Sequence, residues 1–366
     1  MSSATLPSVR PLTIATHSGK FHCDEVLGTV MLDKILGGDK NYKLVRTRNP
    51  DIINKADVVI DVGAEFDPAR CRFDHHQRTF TEKFDTEDRV SKLSSAGLVY
   101  KYFGREMLRT VYGVAEDRKL DILYRKLYND FIESVDAIDN GVPIAEEAAR
   151  YRVFTDLASR VSRKNPRWNE PEVNAEIEAQ RFRQAMAICE EELSAQIETI
   201  LLSFLPAREI VEEAIAKRFE VHPSGRVIHL SHGCPFAEHL YDIEREKGLA
   251  TEASKNGDAT KRKADSSSIL YVIYADATGG YRVQAVGVEG HNFLSRKPLP
   301  SRFRGVRDED LSKVAGVDDL IFVHASGFIG GAKTYESAVK LADLSIVEDD
   351  DEGKMHLLKK CKRTGK

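Results

Sequence analysis

The sequence predicts an α/β protein with a parallel sheet in an N-terminal domain, followed by a smaller α+β domain. Short apolar strands alternate with a helical pattern over the first sixty or so residues, which is typical of a parallel sheet. Helical periodicity dominates from about residue 95 to 204, and β-rich segments return beyond residue 220. A chain of 366 residues is also long for one hydrophobic core.

The first elements place polar residues at strand ends. "LTIAT" at 12–16 predicts a buried strand, and "DEVLGTVMLDKIL" at 24–36 has apolar residues at helical spacing. "YKLVRT" and "ADVVIDVG" predict two further strands. Ligands of open parallel sheets gather at the carboxyl ends of the strands. His17, Asp61 and the "DHH" stretch at 74–76 fall at or near such ends.

The later elements follow in order along the chain. Helices are predicted from "SSAGLVYKYFG", "LDILYRKLYNDFIESVDAIDNG" and the stretch from about 174 to 204. "LPAREIVEEAIAKRF" predicts another helix after a break at Pro206. Strands are predicted from "RVIHL", "SILYVIYAD" and "YRVQAVGV", and a last helix from "AKTYESAVKLADL". We therefore expect a catalytic domain at 1–205 and a substrate-binding domain at 206–345.

Two segments are too polar to predict ordered structure. The stretch 251–268 is rich in small polar residues and predicts a disordered insertion. The segment 346–366 places acidic residues before basic ones and predicts a mobile tail. Their basic clusters could serve nuclear import, although solvated charge is the simpler explanation.

Bulk composition narrows the setting of the protein. Five scattered cysteines without a CxxC pair predict reduced thiols in a reducing, intracellular compartment. No apolar run approaches the ~20 residues of a membrane span, so we expect no membrane partner. The first twelve residues lack a signal-peptide core; they are Ser-rich and free of acids like a mitochondrial presequence, but short and weakly basic. With a net charge of −4, an anionic partner needs a local basic patch or a bound metal.

Several His and Asp residues lie at the ends of predicted elements. Each has an ordinary explanation: Asp24 could cap a helix, Asp61 could start a turn, and Asp136 and Asp139 could lie on a solvated helix face. Together they suit a two-metal phosphoesterase, in which carboxylates and imidazoles bind two cations about 4 Å apart. The residues concerned are His17, His22, Asp24, Asp61, His75, His76, Asp136 and Asp139.

The order H(x4)HxDE, a strand-terminal Asp, DHH and a helical Asp resembles the DHH phosphoesterase superfamily. More narrowly, the chain is similar to the Myg family of melanocyte proliferating gene proteins from about residue 12 to 345. That resemblance implies 3′-to-5′ RNA exonuclease activity in nucleus and mitochondria. The stretches that carry it are "HSGKFHCDEV", "DVGAEFDP", "RFDHHQRTF", "KLSSAGLVYKYFG", "DAIDNG", "LPAREIV" and "FVHASGFIGGAKT".

The resemblance also implies a ligand set for two divalent metal ions. It assigns His17, His22 and Asp61 to one ion and Asp24, Asp61, His75 and Asp136 to the other. Asp61 would thus bridge the pair, and Asp139, one helical turn from Asp136, is an alternative ligand. His76 would contact the substrate phosphate or donate a proton, and Asp74 would orient an imidazole.

The expected metal and chemistry follow from this set. His22 stands where many superfamily members have aspartate, and an imidazole in that position shifts the preference from magnesium toward manganese, with zinc or iron as alternatives. The metals would activate a water for in-line attack on phosphorus. On the 3′ end of RNA this attack would release a 5′-mononucleotide.

Substrate contacts are predicted in both domains. Ser94, Ser95 and Gly97 lie at a predicted helix start, where backbone N–H groups can bind an anion; a serine cap with a close-packed glycine explains them as well. In the second domain a glycine-containing loop resembles the substrate-binding loop of DHH proteins. Its predicted contacts are His324, Gly327, Gly330, Gly331 and Lys333.

A basic and aromatic stretch precedes that loop. "FLSRKPLPSRFRGVR" at 293–307 includes Arg304, with Phe293 and Phe303 as aromatic residues on which bases could stack. This composition suits a single strand of nucleic acid, but a solvated loop explains the charges almost as well.

The sequence leaves three functions open. The first is a manganese-dependent 3′-to-5′ exonuclease acting on single-stranded RNA or a short oligonucleotide. The second is a phosphohydrolase of small substrates such as a short oligonucleotide, a nucleotide phosphate or pyrophosphate, and the third is a non-catalytic metal- or RNA-binding scaffold. The oligomeric state is open, with a homodimer as one option. The compartment is nucleus or mitochondrion by resemblance, with cytoplasm as the alternative.

Overall fold

The computed structural model of the chain describes residues 4–8, 11–249, 267–291 and 293–348. It contains two five-stranded sheets with many helices, which confirms the predicted α/β class. The chain divides into two compact units, residues 1–202 and 203–366. The predicted insertion up to residue 266 and the tail from residue 349 lie outside the described residues. The assignment of catalysis to one domain and substrate binding to the other stays a prediction.

The first unit is built on a mainly parallel sheet. Its strands are β1 (Leu12–Thr16), β2 (Tyr42–Arg46), β3 (Val58–Ile60), β4 (Phe66–Asp67) and β5 (Arg72–Phe73). They lie in the order β2-β1-β3-β5-β4, and only β4 runs antiparallel to its neighbour. The carboxyl ends of β1, β3 and β5 therefore meet at one edge, where the chain continues into His17, Asp61 and Asp74.

Seven α-helices accompany this sheet in the described part of the first unit. They are α1 (Cys23–Leu36), α2 (Pro50–Ile53), α3 (Ser95–Thr110), α4 (Asp117–Leu127), α5 (Glu133–Asp139), α6 (Leu157–Ser162) and α7 (Ala175–Thr199). Helix α1 packs against α3 and β3, and most of its residues are buried. A Cβ on its Gly28 would lie 3.5 Å from Ile60 and Val99, an ordinary van der Waals distance. Because α1 is enclosed, the polar residues of its first turn have a fixed position.

The second unit is a mixed sheet with helices on both faces. Its strands are β6 (Val227–Leu230), β7 (Tyr271–Ala275), β8 (Tyr281–Ala285), β9 (Leu320–Val323) and β10 (Ile329–Ala332). They lie in the order β6-β7-β8-β10-β9, with only β6 and β7 parallel. Its helices are α8 (Leu205–Ala216), α9 (Arg218–Val221), α10 (Ala237–Glu246), α11 (Asp308–Ala315) and α12 (Tyr335–Val347). One apolar core contains residues of α12 and the other residues of α8 and α10.

Two local predictions differ from the structure. Pro206 does not break a helix, because it lies in the first turn of α8, where its missing N–H costs no hydrogen bond. A π-helical segment, Ile200–Phe204, connects α7 to α8. Gly330 and Gly331 lie in β10 and not in a flexible loop. Side chains crowd both positions, since a Cβ would lie 3.0 Å from Leu341 at Gly330 and 2.7 Å from the Phe322 ring at Gly331.

The basic stretch at 293–307 is largely structural. Phe303 is 0% exposed and belongs to the core, so the prediction that it stacks on a base is wrong. Arg304 donates through Nε to the Leu299 carbonyl at 2.8 Å, so its guanidinium has a partner within the same segment. Arg296 forms two hydrogen bonds with the buried carboxylate of Glu244, at 2.9 and 2.7 Å. Charge composition alone could not show that these guanidinium groups have internal partners.

The described ranges contain four of the five cysteines. Cys23, Cys71, Cys189 and Cys234 are all free thiols, and Cys361 lies outside those ranges. In those ranges the search for a helix both long and apolar enough to span a bilayer finds none.

We predict that Arg296→Leu destabilises the second unit by about 3–5 kcal/mol, because it leaves the Glu244 carboxylate buried without its cation. Urea denaturation measures the loss. The control is Arg307→Leu, whose side chain is 67% exposed, and we expect it to change the free energy of unfolding by less than about 0.5 kcal/mol. Equal stability of the two variants would contradict the structural role of Arg296.

Candidate metal centre

Asp61 lies at the middle of the site, directly after β3. Its backbone has a φ of 57°, in the left-handed region that Asp adopts more readily than most residues. Its N–H donates to the Phe73 carbonyl at 3.2 Å. This turn buries the carboxylate and directs its two oxygens to different partners. Oδ2 lies 3.3 Å from His17 Nε2, and Oδ1 lies 3.5 Å from His75 Nε2.

The first turn of α1 supplies a second group of ligand atoms. Glu25 Oε1 lies 2.9 Å from His17 Nε2 and also accepts the backbone N–H of His22 at 2.9 Å. A carboxylate is stabilised here by the positive end of the helix dipole. Glu25 was not among the predicted ligands. A capping-box pattern could have identified it, because an acid three residues after the N-cap, here His22, commonly accepts the N-cap N–H.

The "DHH" stretch follows β5 and contributes from the other side of Asp61. Asp74 accepts the backbone N–H of His76 at 3.0 Å and its Nδ1 at 2.7 Å, while its second oxygen accepts the Ala64 N–H at 2.7 Å. Asp74 therefore orients the His76 ring, as the orienting role predicted for it requires. The His76 side chain is 61% exposed, so it is available to a substrate.

Asp139 brings the end of α5 into the site. Its Oδ2 lies 3.1 Å from His75 Nε2. Possible ligand atoms, all within 4.8 Å of one another in each case, form three overlapping groups in the described residues. These are His17, His22, Glu25 and Asp61; Asp61, His75 and His76; and His22, Asp24 and Asp139. The structure thus brings together His17, His22, Asp24, Asp61 and His75 of the predicted set.

The donor set fits divalent cations, and Asp24 is the clearest sign of that fit. Asp24 is 0% exposed, and neither carboxylate oxygen has a hydrogen-bond partner among the described residues. A buried carboxylate without a partner costs several kcal/mol unless a cation binds it. Burial and the charges of Asp61 and Glu25 raise its pKa well above the usual value. A bound cation would remove this penalty.

Protons on the imidazoles balance the carboxylates in the protein alone. Burial lowers the pKa of His17, but hydrogen bonds to Asp61 and Glu25 outweigh it and raise the pKa to about 10. His75 behaves alike, with Asp139 and Asp61 raising its pKa to about 9. The same contacts hold the pKa of Asp61 well below its usual value against the effect of burial. A cation must displace these protons, so its affinity should rise with pH.

Asp136 stands apart from these groups. Its Oδ1 accepts the Ser94 N–H at 2.9 Å, the Ser94 hydroxyl at 2.7 Å and the Gly97 N–H at 3.1 Å, and its Oδ2 accepts the Tyr128 hydroxyl at 2.8 Å. Burial nevertheless raises its pKa to about 7. Asp136 caps the N-terminus of α3 and takes no part in the three groups. Asp139, the alternative ligand, lies where Asp136 was expected.

The same contact corrects the predicted phosphate site at the start of α3. An anion does bind there, but it is the protein's own Asp136 carboxylate, and it uses the N–H groups of Ser94 and Gly97. A Cβ on Gly97 would lie 2.3 Å from Asp136 Oδ2, which explains the glycine. Ser95 instead donates its hydroxyl to Asp61 Oδ1 at 3.3 Å. These three residues therefore contact carboxylates of the protein itself: Ser94 and Gly97 contact Asp136, and Ser95 contacts Asp61.

Asn165 fixes the loop between His17 and His22. Its Oδ1 accepts the Phe21 N–H at 2.9 Å, and its Nδ2 donates to the Phe21 carbonyl at 2.8 Å. Both atoms of one backbone unit are thus held by a buried side chain 144 residues away in sequence. No local pattern marks such an asparagine.

The predicted substrate residues of the second unit lie around the β9–β10 hairpin. His324 is exposed, and its Nδ1 lies 2.9 Å from the Ser326 hydroxyl. Gly327 has a φ of 72°, and a Cβ there would lie 2.6 Å from Arg304 Nε, so glycine is required. Lys333 is exposed, with Nζ 3.7 Å from Asp319. Substrate binding by His324, Gly327, Gly330, Gly331, Lys333 and Arg304 stays a prediction.

Comparison with known proteins finds extensive similarity. Residues 13–346 match the model of a family described as MYG1_exonuc, uncharacterised protein family UPF0160. The MYG1 exonuclease of Rattus norvegicus is 43% identical over 362 residues, which cover 95% of this chain and 90% of the relative. The human MYG1 exonuclease is 43% identical over 92% of this chain and 86% of its own length. The MYG1 protein of Saccharomyces cerevisiae is 39% identical over 91% of this chain and 95% of its own length.

We predict that Gly97→Ala lowers the free energy of unfolding by about 2–4 kcal/mol, because the added methyl group meets a buried carboxylate that cannot move. Chemical denaturation measures the change. Gly28→Ala is the matched control, since this buried helical glycine has room for a Cβ at 3.5 Å from its neighbours. The Gly28 variant should be unchanged or more stable by up to about 1 kcal/mol. A Gly97 variant as stable as wild type would contradict the tight contact with Asp136.

We further predict opposite responses to Mn²⁺ for two buried aspartates. Saturating Mn²⁺ should raise the Tm of wild type by about 5–10 °C. Asp24→Asn should match or exceed the wild-type Tm without metal, because a buried unpaired carboxylate is removed, and it should lose most of the shift.

Asp136→Asn is the control for that experiment. Its hydrogen bonds are disrupted, so its Tm should fall in both conditions while the Mn²⁺ shift persists. A shift retained by Asp24→Asn and lost by Asp136→Asn would reverse our assignment of the two carboxylates. Differential scanning fluorimetry gives the Tm of wild type and of both variants, each with and without Mn²⁺.

Proposed function

This chain belongs to the MYG1 exonuclease family, and from that premise we propose that it is a metal-dependent phosphodiesterase that degrades RNA from its 3′ end. The similarity to relatives named exonucleases supports a nuclease activity. The substrate, the direction of degradation and the use of two metal ions, most simply manganese, are our proposal. The predicted compartments stay predictions.

One observation carries the proposal. Carboxylates and imidazoles from four separate segments meet around Asp61, whose two oxygens face different histidines. This arrangement suits a carboxylate shared by two cations. His17, Glu25 and Asp61 would hold one ion, while Asp24, His75 and Asp139 supply further ligands close by. A structural role alone does not explain why Asp24 is buried without a partner.

Bound divalent ions would supply an activated water and neutralise the charge that develops on the phosphate. Side chains of the protein would position the substrate phosphate and donate protons to it. His76 is exposed beside Asp61, and the hydrogen bond to Asp74 raises the pKa of its imidazole. It can therefore donate a hydrogen bond to a phosphate oxygen or a proton to the leaving 3′ oxygen. Asp74 keeps the ring in place for either task.

We predict that wild type with Mn²⁺ shortens 5′-labelled single-stranded RNA one nucleotide at a time and releases 5′-mononucleotides. Asp61→Asn should reduce the rate by about 100-fold or more, because two of the three ligand groups lose a charged ligand. Asp67→Asn is the control, since Asp67 caps a short turn outside the three groups and asparagine can keep that hydrogen bond. Denaturing gels follow the products.

Three results would count against the proposal. Equal degradation by wild type and Asp61→Asn would show that Asp61 is not at the reacting centre. Turnover of small phosphate esters without turnover of RNA would favour the small-substrate phosphohydrolase. RNA binding without any hydrolysis would favour the non-catalytic scaffold.

A further inference from the structure

We propose that Arg48 binds a phosphate of the substrate beside the metal centre, and so selects substrates that carry consecutive phosphates, such as a nucleic-acid strand. The inference rests on the proposed function, because it concerns the substrate of the same site. No motif or predicted site residue in the sequence pointed to Arg48.

The sheet places Arg48 at the same edge as the metal ligands. β2 pairs in parallel with β1, with Arg46 opposite Thr16, and the Thr47 N–H donates to the Thr16 carbonyl at 2.7 Å. The residues that follow the two strands therefore continue side by side, which brings Arg48 next to Ser18. Arg48 Nε donates to the Ser18 carbonyl at 3.3 Å, and its Nη2 lies 3.4 Å from His17 Nδ1.

The guanidinium lies across the His17 ring from the acidic groups. His17 Nε2 faces Glu25 and Asp61, at 2.9 and 3.3 Å, whereas Nδ1 faces Arg48. Arg48 is thus outside the carboxylate cluster, separated from it by one imidazole. A phosphate bound at the cluster would leave Arg48 to contact a neighbouring phosphate of the same strand.

Arg48 is also available to a ligand. It is exposed, and no carboxylate of the described residues lies within ion-pair distance of its guanidinium. A guanidinium group presents paired N–H donors that match the oxygens of a phosphate. An exposed arginine with no acidic partner, fixed beside an anionic site by a backbone carbonyl, is suited to that contact.

Arg46 on the same strand shows the contrasting structural use. Its guanidinium lies over the rings of Phe21 and Phe182, at 5.3 and 5.0 Å, and it donates to the Gly19 carbonyl at 2.5 Å. Its Nη1 lies 3.6 Å from Glu178. Arg46 therefore packs against the loop between His17 and His22. Of the two arginines, Arg48 is the one that a substrate can reach.

Charge gives a reason for an arginine here. Asp24, Glu25, Asp61 and Asp139 carry four formal negative charges, which two divalent cations would only neutralise. A neutral centre attracts a polyanion weakly, and the net charge of the chain is −4. A guanidinium at the rim restores local attraction for phosphate without competing for the metal ligands.

The test combines binding and catalysis. Binding of a 5′-fluorescein single-stranded RNA is measured by anisotropy in Ca²⁺, with the RNA checked to be intact, and turnover of RNA and of bis(p-nitrophenyl) phosphate is measured in Mn²⁺. Arg48→Ala should weaken RNA binding about tenfold and lower the salt dependence by about one phosphate contact. Arg48→Lys should lose less, because the charge remains without the planar fork.

Matched controls separate the substrate contact from a structural effect. Turnover of bis(p-nitrophenyl) phosphate, which has a single phosphate, should stay within about twofold in Arg48→Ala, and its Tm should stay near that of wild type. Lys43→Ala, an exposed cation at the start of β2, should leave RNA binding unchanged.

The inference is overturned if Arg48→Ala binds RNA as tightly as wild type, or if wild type does not bind RNA. It is also overturned if both substrates lose turnover equally, since Arg48 would then act through His17. Wild type that binds RNA but cleaves neither substrate would defeat the proposed function alone, and the affinity of Arg48→Ala would still decide the inference.

Discussion

Repulsion between carboxylates in one small buried volume is the constraint on which the first unit depends. Asp24, Glu25 and Asp61 are all buried, and only part of their charge is balanced by the protein itself. The raised pKa values of His17 and His75 favour protonated imidazoles that pair with nearby carboxylates. The N-terminus of α1 stabilises Glu25. A loosely packed scaffold would let these groups separate and become solvated. The enclosure of α1 between the sheet and α3 prevents that.

Another buried carboxylate shows how the same fold satisfies such a group with hydrogen bonds. Asp136 receives four hydrogen bonds, three of them on one oxygen, and its side chain closes the N-terminus of α3. This contact fixes α5 against α3 and so determines where Asp139, three residues later, reaches His75. Asp136 is thus a structural anchor for the centre, and Asp24 differs from it in having no donors of its own.

The sequence predicted those parts of the fold and site that depend on local patterns. Apolar strands followed by polar residues marked β1 and β3, and the rule that ligands gather at strand ends identified His17 and Asp61. Asp136 and Asp139 could not be told apart, because both lie on one helix and their roles depend on Ser94 and Gly97, about forty residues away. Asn165 and the pairing of Arg296 with Glu244 escaped for the same reason, since each depends on a distant contact.

We propose that Asp61 joins two divalent cations, with Asp24 and Asp139 among their ligands and Asp136 outside. Anomalous diffraction from a crystal grown with Mn²⁺ tests it most directly. We expect two peaks, each bonded to a different oxygen of Asp61, with Asp24 and Asp139 in the coordination shells. A single peak, peaks distant from Asp61, or an ion bound by Asp136 would contradict this account of the centre.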